Sequence, residues 1–421
     1  MDEILFNNLR QTDGRPGAIL CRDGRIAAIG PRQGLGQTAA CTIVDAGGRL
    51  LLPALVESHI HLDKTFWGGN WQPATGGPLL VDYIGNERRL MQAAAPVAER
   101  AAALLEHCIA LGSLRMRSHI DIDPGIGLGH VEALLDLRQR YRHLVDLDFV
   151  AFPQQGVLVC PGTFELMDRA VGMGVETIGG LDPAGIDHDP IGQLRLIFDL
   201  AAKHGCGVDI HLHDPGELGI WQIARIADFT AATGLAGKVM ISHAYSLGTV
   251  PTAQIEGLAR RLADLDISLM TTGPADSPLP PVGFLREIGV NVCSGSDNIR
   301  DAWSPFGTGD LLERALFLAL RLDWSKEAAI AGAFDCVTAR AAHALRLPQG
   351  PGAEGPGGYG IDAGCRADFL LVQAETLGDA IARRTADRLV IRGGRVIAEN
   401  SRLLPGPVGP KSGPRAASCG L

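Results

Sequence analysis

Short apolar runs and amphipathic stretches alternate through the middle of this chain. The runs Leu114–His119, Leu147–Phe152, Glu176–Leu181, Val208–His211, Lys238–His243, Ile267–Thr272 and Val290–Asp297 read as strands. Each is short, rich in aliphatic residues and bounded by turn or polar residues. They begin roughly 30 residues apart, the spacing of a repeated strand–helix unit. Between them lie helical patterns such as Val131–Leu137 and Gln193–Ala201. The apolar run Leu50-Leu51-Leu52-Pro53-Ala54-Leu55-Val56 leads to His59 and makes the eighth strand. Alternation over about 290 residues predicts an α/β fold, a (β/α)8 TIM barrel at 51–347. A doubly wound open sheet is the competing expectation, but no Gly-x-Gly-x-x-Gly opens a helix here.

Both ends of the chain read as β structure. Ile4–Asn8, Ala18–Cys21, Arg25–Ile29 and Thr42–Asp45 are separated by Gly and Asp, as hairpins require. Ala367–Val372 and Asp387–Ile397 repeat the pattern near the other end. The termini are therefore expected to meet in a small flanking β-sandwich domain built from 1–50 and 364–403. Gly- and Pro-rich residues 348–363 read as a linker, and 404–421 as a flexible tail.

Composition narrows the function classes. With 421 residues there is room for a barrel and one smaller domain. A net charge of −9 and the lack of a basic cluster with interleaved aromatics argue against nucleic acid as a partner. No apolar run approaches the roughly 20 residues of a membrane span, and the start lacks a signal pattern, so a cytoplasmic protein is expected. The nine cysteines include no Cys-x-x-Cys, which predicts free thiols rather than disulfides or a structural zinc site. A homo-oligomer is expected.

The candidate chemistry sits at strand ends. His59 and His61 are two apart, so an extended strand points both to one face. His119 and Asp121, Gln154, Asp182, His211, His213 and Asp214, His243 and Asp297 end later strands. Barrel enzymes place their chemistry at these C-terminal ends. Three imidazoles and one carboxylate, from His59, His61, His211 and Asp297, suit one divalent transition metal ion, zinc or Fe2+, with room left for water. Asp297 is expected both to ligate the metal and to accept the water proton, with His243 orienting or deprotonating that water. Asp214 is the candidate proton carrier to the substrate and leaving nitrogen. His119 and His213 are either participants or supporting residues.

These residues, in this order, resemble the amidohydrolase superfamily over nearly the whole chain. His59-Ile60-His61-Leu62-Asp63 and Val150-Ala151-Phe152-Pro153-Gln154-Gln155-Gly156 are similar to motifs of its cytosine deaminase group. The resemblance implies that Gln154 reads the amide edge of a pyrimidine-like ring, that Asn298 lies beside the exocyclic group, and that Trp303 forms a pocket wall. It implies a metal-dependent hydrolytic deaminase that releases ammonia from an amino-substituted N-heterocycle such as cytosine. Where cytosine deaminases carry a shuttling glutamate, His211-Leu212-His213-Asp214 has aspartate; Glu217 is the alternative shuttle. Asn298 stands where that group has an acid. Lys64 and Ser296–Asp301, with Trp303 and Pro305-Phe306-Gly307, look more like isopropylammelide amidohydrolase, which removes an alkylamine from a triazine. That activity is the second expectation, and a non-catalytic amidohydrolase-like scaffold the third. Gly179-Gly180-Leu181-Asp182 lacks the lysine of binuclear members, so one metal is expected.

Two further segments stand out. Phe66, Trp67 and Trp71 interleave with Gly68 and Gly69 after strand 1, as either a cover over a planar ring or a packed contact. Arg300 precedes Asp301, and the adjacency favours a structural ion pair over an anion site.

Overall fold

The computed structural model describes residues 3–350 and 358–405. The middle of the expected linker, 351–357, and the expected tail from 406 onward lie outside the described residues. Five strands come first: β1 (Glu3–Arg10), β2 (Pro16–Arg22), β3 (Arg25–Gly30), β4 (Thr42–Asp45) and β5 (Leu50–Pro53). The next eight are β6 (Leu55–Ile60), β7 (Ser113–Asp121), β8 (Asp146–Phe152), β9 (Thr177–Leu181), β10 (Gly207–Leu212), β11 (Val239–His243), β12 (Ser268–Met270) and β13 (Val292–Cys293). The last four are β14 (Phe369–Val372), β15 (Arg388–Arg392), β16 (Arg395–Glu399) and β17 (Arg402–Leu403).

Strands β6 to β13 pair in chain order, all parallel, with helices between them. The sheet closes through a parallel bridge between Ile60 and Asp297, where Asp297 N donates to His59 O at 2.7 Å. This is the (β/α)8 barrel that the sequence period predicts. The remaining strands form one nine-stranded sheet from both termini, joined where β5 pairs antiparallel with β14.

The apolar run leading to His59 serves both sheets. Leu50–Pro53 belongs to the flanking sheet, and Leu55 starts the first barrel strand opposite Ser113. Alternation then decides which core each residue enters. Leu51, Phe369 and Leu371 pack within the flanking sheet's own core, whereas Leu50, Leu52, Leu370 and Val372 join the barrel core. One sheet face thus docks on the barrel, each fully buried Leu or Phe contributing about 1.5–3 kcal/mol.

The helix Pro190–His204 illustrates how sequence fixes the outer layer. Asp189 caps it by accepting from Gly192 N at 2.9 Å, proline occupies the first turn, and Gly205 ends it at φ 70°. Leu194, Ile197, Phe198 and Ala201 recur at helical spacing and are all buried.

The last barrel strand, β13, falls short of the expected span Val290–Asp297. Only Val292–Cys293 is strand, and Ser294 N turns away to Cys336 O. A Cβ on Gly295 would lie 2.7 Å from His59 N, so glycine lets this segment pass directly against strand 1. Among the described residues no helix is long and apolar enough to cross a membrane, and the described cysteines are free thiols.

Candidate active site

The barrel's C-terminal rim brings together His59, His61, His119, His211, His243 and Asp297. His59 and His211 ring centroids are 4.5 Å apart, and those of His61 and His211 5.4 Å. Asp297 Oδ1 lies 3.5 Å from His59 Nε2 and 3.3 Å from His61 Nε2. His61 Nε2 and His211 Nε2 are 3.4 Å apart. Ligand atoms of His59, His61, His119 and His211 all fall within 4.8 Å of one another, as do those of His59, His211, His243 and Asp297.

These residues fit a cation. Ser242 donates its only proton to Asp209 Oδ1 at 2.8 Å, so its Oγ accepts from His59 Nδ1–H at 3.0 Å. That leaves a lone pair on His59 Nε2, buried without a hydrogen-bond partner and facing the Asp297 carboxylate. Two acceptors aimed at each other are repulsive unless a positive charge lies between them. Nitrogen ligands about 2.1 Å from one tetrahedral zinc lie about 3.4 Å apart, as the His61 and His211 nitrogens do.

Electrostatics keep the donors ready. Burial, with Lys64's charge adding, depresses the His61 pKa to about 4, and burial takes those of His211 and His243 well below the usual histidine value. Burial pushes the Asp297 carboxyl up, but positive charge on the His59, His61 or His243 rings outweighs it and holds the carboxyl well below its ordinary range, and a cation between them acts in the same direction. Neutral imidazoles and an ionised carboxylate are the forms that bind a metal.

The rim is also backbone-strained. Asp182, His243 and Asp297 have φ of 33°, 72° and 59°. Left-handed non-glycine residues cost of order 1–3 kcal/mol each and persist where surroundings over-determine them. Glu57 supplies part of that constraint: its buried Oε1 accepts from His59 N at 3.1 Å and Ser296 N at 2.9 Å, stapling strand 1 to the turn carrying Asp297.

One wall of the pocket is a buried charge network. Lys64 Nζ lies 3.2 Å from Asp121 Oδ1 and 3.7 Å from Glu87 Oε2, and donates to Gln154 Oε1. Burial opposes its charge, but Asp121, Glu87 and Asp63 prevail and its pKa is raised. Gln154 donates to Glu87 Oε1 and to Asp121 Oδ2, both at 3.1 Å. Its amide lines the pocket, yet its oxygen and amide nitrogen are already engaged. Trp303 lines the pocket, with its indole N–H on Glu87 and its ring stacked on Tyr83 at 5.3 Å. Asn298 lines the pocket and donates to Asp301 Oδ2 at 2.7 Å.

Not every expected residue arrives. Asp182 Oδ1 accepts from both His213 N and Asp214 N, pinning that turn. The Asp214 carboxylate points to Gly185 N at 3.2 Å and Gln222 Nε2 at 2.9 Å, and it is not among the residues lining the pocket. Glu217 is exposed in the first turn of the helix Gly216–Thr233. His213 does line the pocket, stacked on His243 at 4.4 Å with Nδ1 on Asp182 at 2.8 Å. The expected Arg300–Asp301 ion pair does not form: Asp301 accepts from Asn298, Trp303 N and Ser304 N, while Arg300 lies over Trp67 and Trp71.

Glu57, Glu87, Asp209 and Ser242 were not expected. Asp209 had a readable signal, a carboxylate inside a buried strand two residues before His211 and so on the same face.

Two cavities meet at this rim. The inner one, between His61, Gln154, Leu80 and Trp303, is about 30 Å³. The cleft outside it is about 1070 Å³. Asp297, Asn298 and Trp303 line both. Benzene occupies a cavity of about 150 Å³, so a ring engages the inner pocket only from its mouth or after Leu80 and Trp303 shift.

The sequence profile of the amidohydrolase family matches residues 42–398. N-isopropylammelide isopropylaminohydrolase from Burkholderia multivorans ATCC 17616 is similar in structure, with a TM-score of 0.90 at 38% identity over 96% of this chain and 100% of that one. 5-methylcytosine deaminase from Klebsiella pneumoniae has a TM-score of 0.78 at 28% identity over 94% of this chain and 98% of that one. In sequence, N-isopropylammelide isopropyl amidohydrolase of Pseudomonas sp. (strain ADP) is 30% identical over 367 residues, 85% of this chain and 88% of that protein.

Proposed function

Because the chain belongs to the amidohydrolase family, we propose that it hydrolyses the bond between a ring carbon of an N-heterocycle and its amino substituent, with one divalent cation, zinc or ferrous iron, held by His59, His61, His211 and Asp297. The carrying observation is the convergence of buried imidazole nitrogens on the Asp297 carboxylate at the barrel rim. A cation bound there supplies a Lewis acid and a water of lowered pKa.

In this reading the water oxygen joins the ring carbon, the carbon–nitrogen bond breaks, and the ring keeps the oxygen as a carbonyl. His243 Nε2 is buried without a hydrogen-bond partner, 4.0 Å from Asp297 Oδ2, and takes the proton from the attacking water. Against burial, Asp182 binds His213 Nδ1–H and raises the ring's pKa, so in this reading His213 starts as the imidazolium. It gives its Nε2 proton to the leaving nitrogen and is reprotonated by the proton that His243 took from water. Asp214 is the rival shuttle and must first release Gly185 and Gln222. Lys64, kept charged by Asp121 and Glu87, offers an ammonium to a ring oxygen beside Gln154. Trp303 gives the ring an aromatic face.

A substituted amine is favoured over ammonia as leaving group. The wide cleft opens beside Asp297 and Asn298, where the departing nitrogen lies, and the likeness to N-isopropylammelide isopropylaminohydrolase supports the same choice. Ammonia release from a free amino ring is the second reading, supported by the likeness to 5-methylcytosine deaminase. Metal content after chelator-free purification, with amine and ammonia release from N-isopropylammelide, cytosine and 5-methylcytosine, tests both. Stoichiometric metal with alkylamine release is expected. Metal-loaded protein that releases neither amine nor ammonia from any of these rings sinks the proposal.

A further inference from the structure

The cleft outside the rim is far larger than a small alkyl group needs. Its volume of about 1070 Å³ lies at the upper end of pockets that enclose whole drug-sized ligands. It shares Asp297, Asn298 and Trp303 with the inner pocket, so in the hydrolytic reading a substituent on the departing nitrogen projects towards it.

The cleft's charged groups are not equivalent. Arg314 is committed to backbone, donating to Thr272 O at 2.9 Å and Ser296 O at 3.3 Å. Arg321 donates to Ser277 O at 3.0 Å. Glu313 accepts from Thr308 Oγ1 at 2.9 Å, and Asp276 from Ser277 Oγ at 3.3 Å. Arg300 differs. Its guanidinium carbon lies 5.1 Å from the Trp67 ring centroid and 5.9 Å from that of Trp71. Among the described residues no carboxylate is within ion-pair distance of it; its neighbour Asp301 is turned to Asn298 and to the backbone of Trp303 and Ser304.

Its position is fixed rather than loose. Arg300 N donates to Phe306 O at 2.8 Å and Phe66 N donates to Arg300 O at 2.7 Å, at a backbone φ of 47°. Trp67 in turn packs against the His107 ring, tilted by 32° with centroids 4.4 Å apart. A planar guanidinium lying over two indole rings keeps its N–H edge for a ligand, and that edge matches a carboxylate in two parallel hydrogen bonds. The indoles beside it also displace competing water. Elsewhere in the cleft Asp276 and Glu313 repel an anion, which confines it to the Trp67–Trp71 end.

We propose that the cleft is a second compartment of the substrate site, built for a leaving amine that carries a carboxylate, with Arg300, lying over Trp67 and Trp71, as its anchor. The substrate class is an N-heterocycle bearing an N-(carboxyalkyl)amino group. This rests on the hydrolytic reading above and deepens it. Water supplies oxygen to the ring carbon and a proton to the nitrogen, so the products are the oxo-heterocycle and a free amino acid.

A matched pair of ammelides tests it, one with an N-carboxyalkyl arm and one with the corresponding neutral carboxamide. Both are titrated calorimetrically and assayed for amine release with metal-loaded full-length protein. The charged arm is expected to bind ~10–100-fold more tightly, the range for hydrogen bonds to a charged group, and the preference is expected to shrink as salt rises. In Arg300→Gln the ratio of the two affinities falls towards one; Arg300→Lys, which keeps charge but loses the fork, lies between. Trp71→Ala, a substitution of a residue 57% exposed, lowers the ratio several-fold without threatening the fold. Preferential binding without turnover overturns the hydrolytic reading and leaves the anchor standing. Equal binding of the pair by the unsubstituted protein, or by neither member, overturns the anchor.

Discussion

The inner pocket and the outer cleft share three residues and differ in almost everything else. The pocket is assembled from the ends of separate buried strands, and nearly every polar atom in it is tied down or aimed at one point. Gln154 is fully engaged, His59 is oriented through Ser242 and Asp209, and three rim residues hold left-handed backbone conformations. The cleft is built mainly from the segments that follow β6, β12 and β13, including the helix Leu311–Arg321, and it leaves Trp71, Phe306 and Leu320 exposed. In the proposed reaction, rigid strand ends hold the reacting centre, and the segments around the cleft select what is attached to the ring. Substitutions inside the pocket are therefore expected to affect all substrates alike, and those in the cleft to change preference between substrates.

The sharpest break of that division is His211→Ala. His211 Nε2 meets His61 Nε2 at 3.4 Å in the centre of the cluster. Its loss is expected to remove bound metal and turnover together, by more than the ~10–100-fold that an outer partner of a ligand is worth. Metal retained at full occupancy with activity gone would separate His211 from the cation.

Next in size is the proton carrier. His213→Asn is expected to keep metal and lose turnover by roughly 10²–10⁴-fold, the range for a missing acid or base. Asp214→Asn is expected to cost much less, because that carboxylate is already bound to Gly185 and Gln222. The reverse order in kcat, with metal content measured on both variants, returns the role to Asp214.

Ser242→Ala probes the support rather than the donors. It removes the acceptor of His59 Nδ1–H and leaves Asp209 Oδ1 without that hydroxyl. A loss of about 10–100-fold in metal affinity is expected, read by chelator competition. Unchanged affinity would mean that barrel packing alone orients His59.

The strand-end chemistry was legible because two periods coincide. A strand recurs about every 30 residues, and within each strand alternate residues share a face, as in Glu57-His59-His61 and Asp209-His211-His213. What lies at one rim by topology can be read without coordinates. Spacing from a ligand says nothing about the local turn, so it does not reveal that Asp182, from the preceding strand, pins both His213 N and Asp214 N, or that Gly185 and Gln222 engage the Asp214 carboxylate. Glu87 was invisible for a similar reason. It comes from the helix Leu80–Met91, and its partners Gln154 and Trp303 lie 67 and 216 residues away. The shortness of β13 follows from Gly295 packing on His59 N, a contact that alternation does not encode.

The smallest expected effect lies at the boundary between the two compartments. Asp301 is 1% exposed and holds Asn298 and the backbone of Trp303, both of whose residues line both cavities. Burial pushes its pKa up to about 7 against the hydrogen bonds from Ser304 N, Asn298 and Trp303 N, which favour the ionised form. The folded protein therefore keeps a proton here that the unfolded chain releases near 3.8. Stability linked to this group is present below 3.8 and is lost as pH rises through about 7. The thermal midpoint of the unsubstituted protein is expected to fall more between about pH 5 and pH 9 than that of Asp301→Asn, whose side chain does not titrate. The difference between the two curves isolates this carboxyl from the histidines that titrate in the same range. Parallel curves would mean that Asp301 is ionised throughout, and that its hydrogen bonds, rather than burial, govern the wall between pocket and cleft.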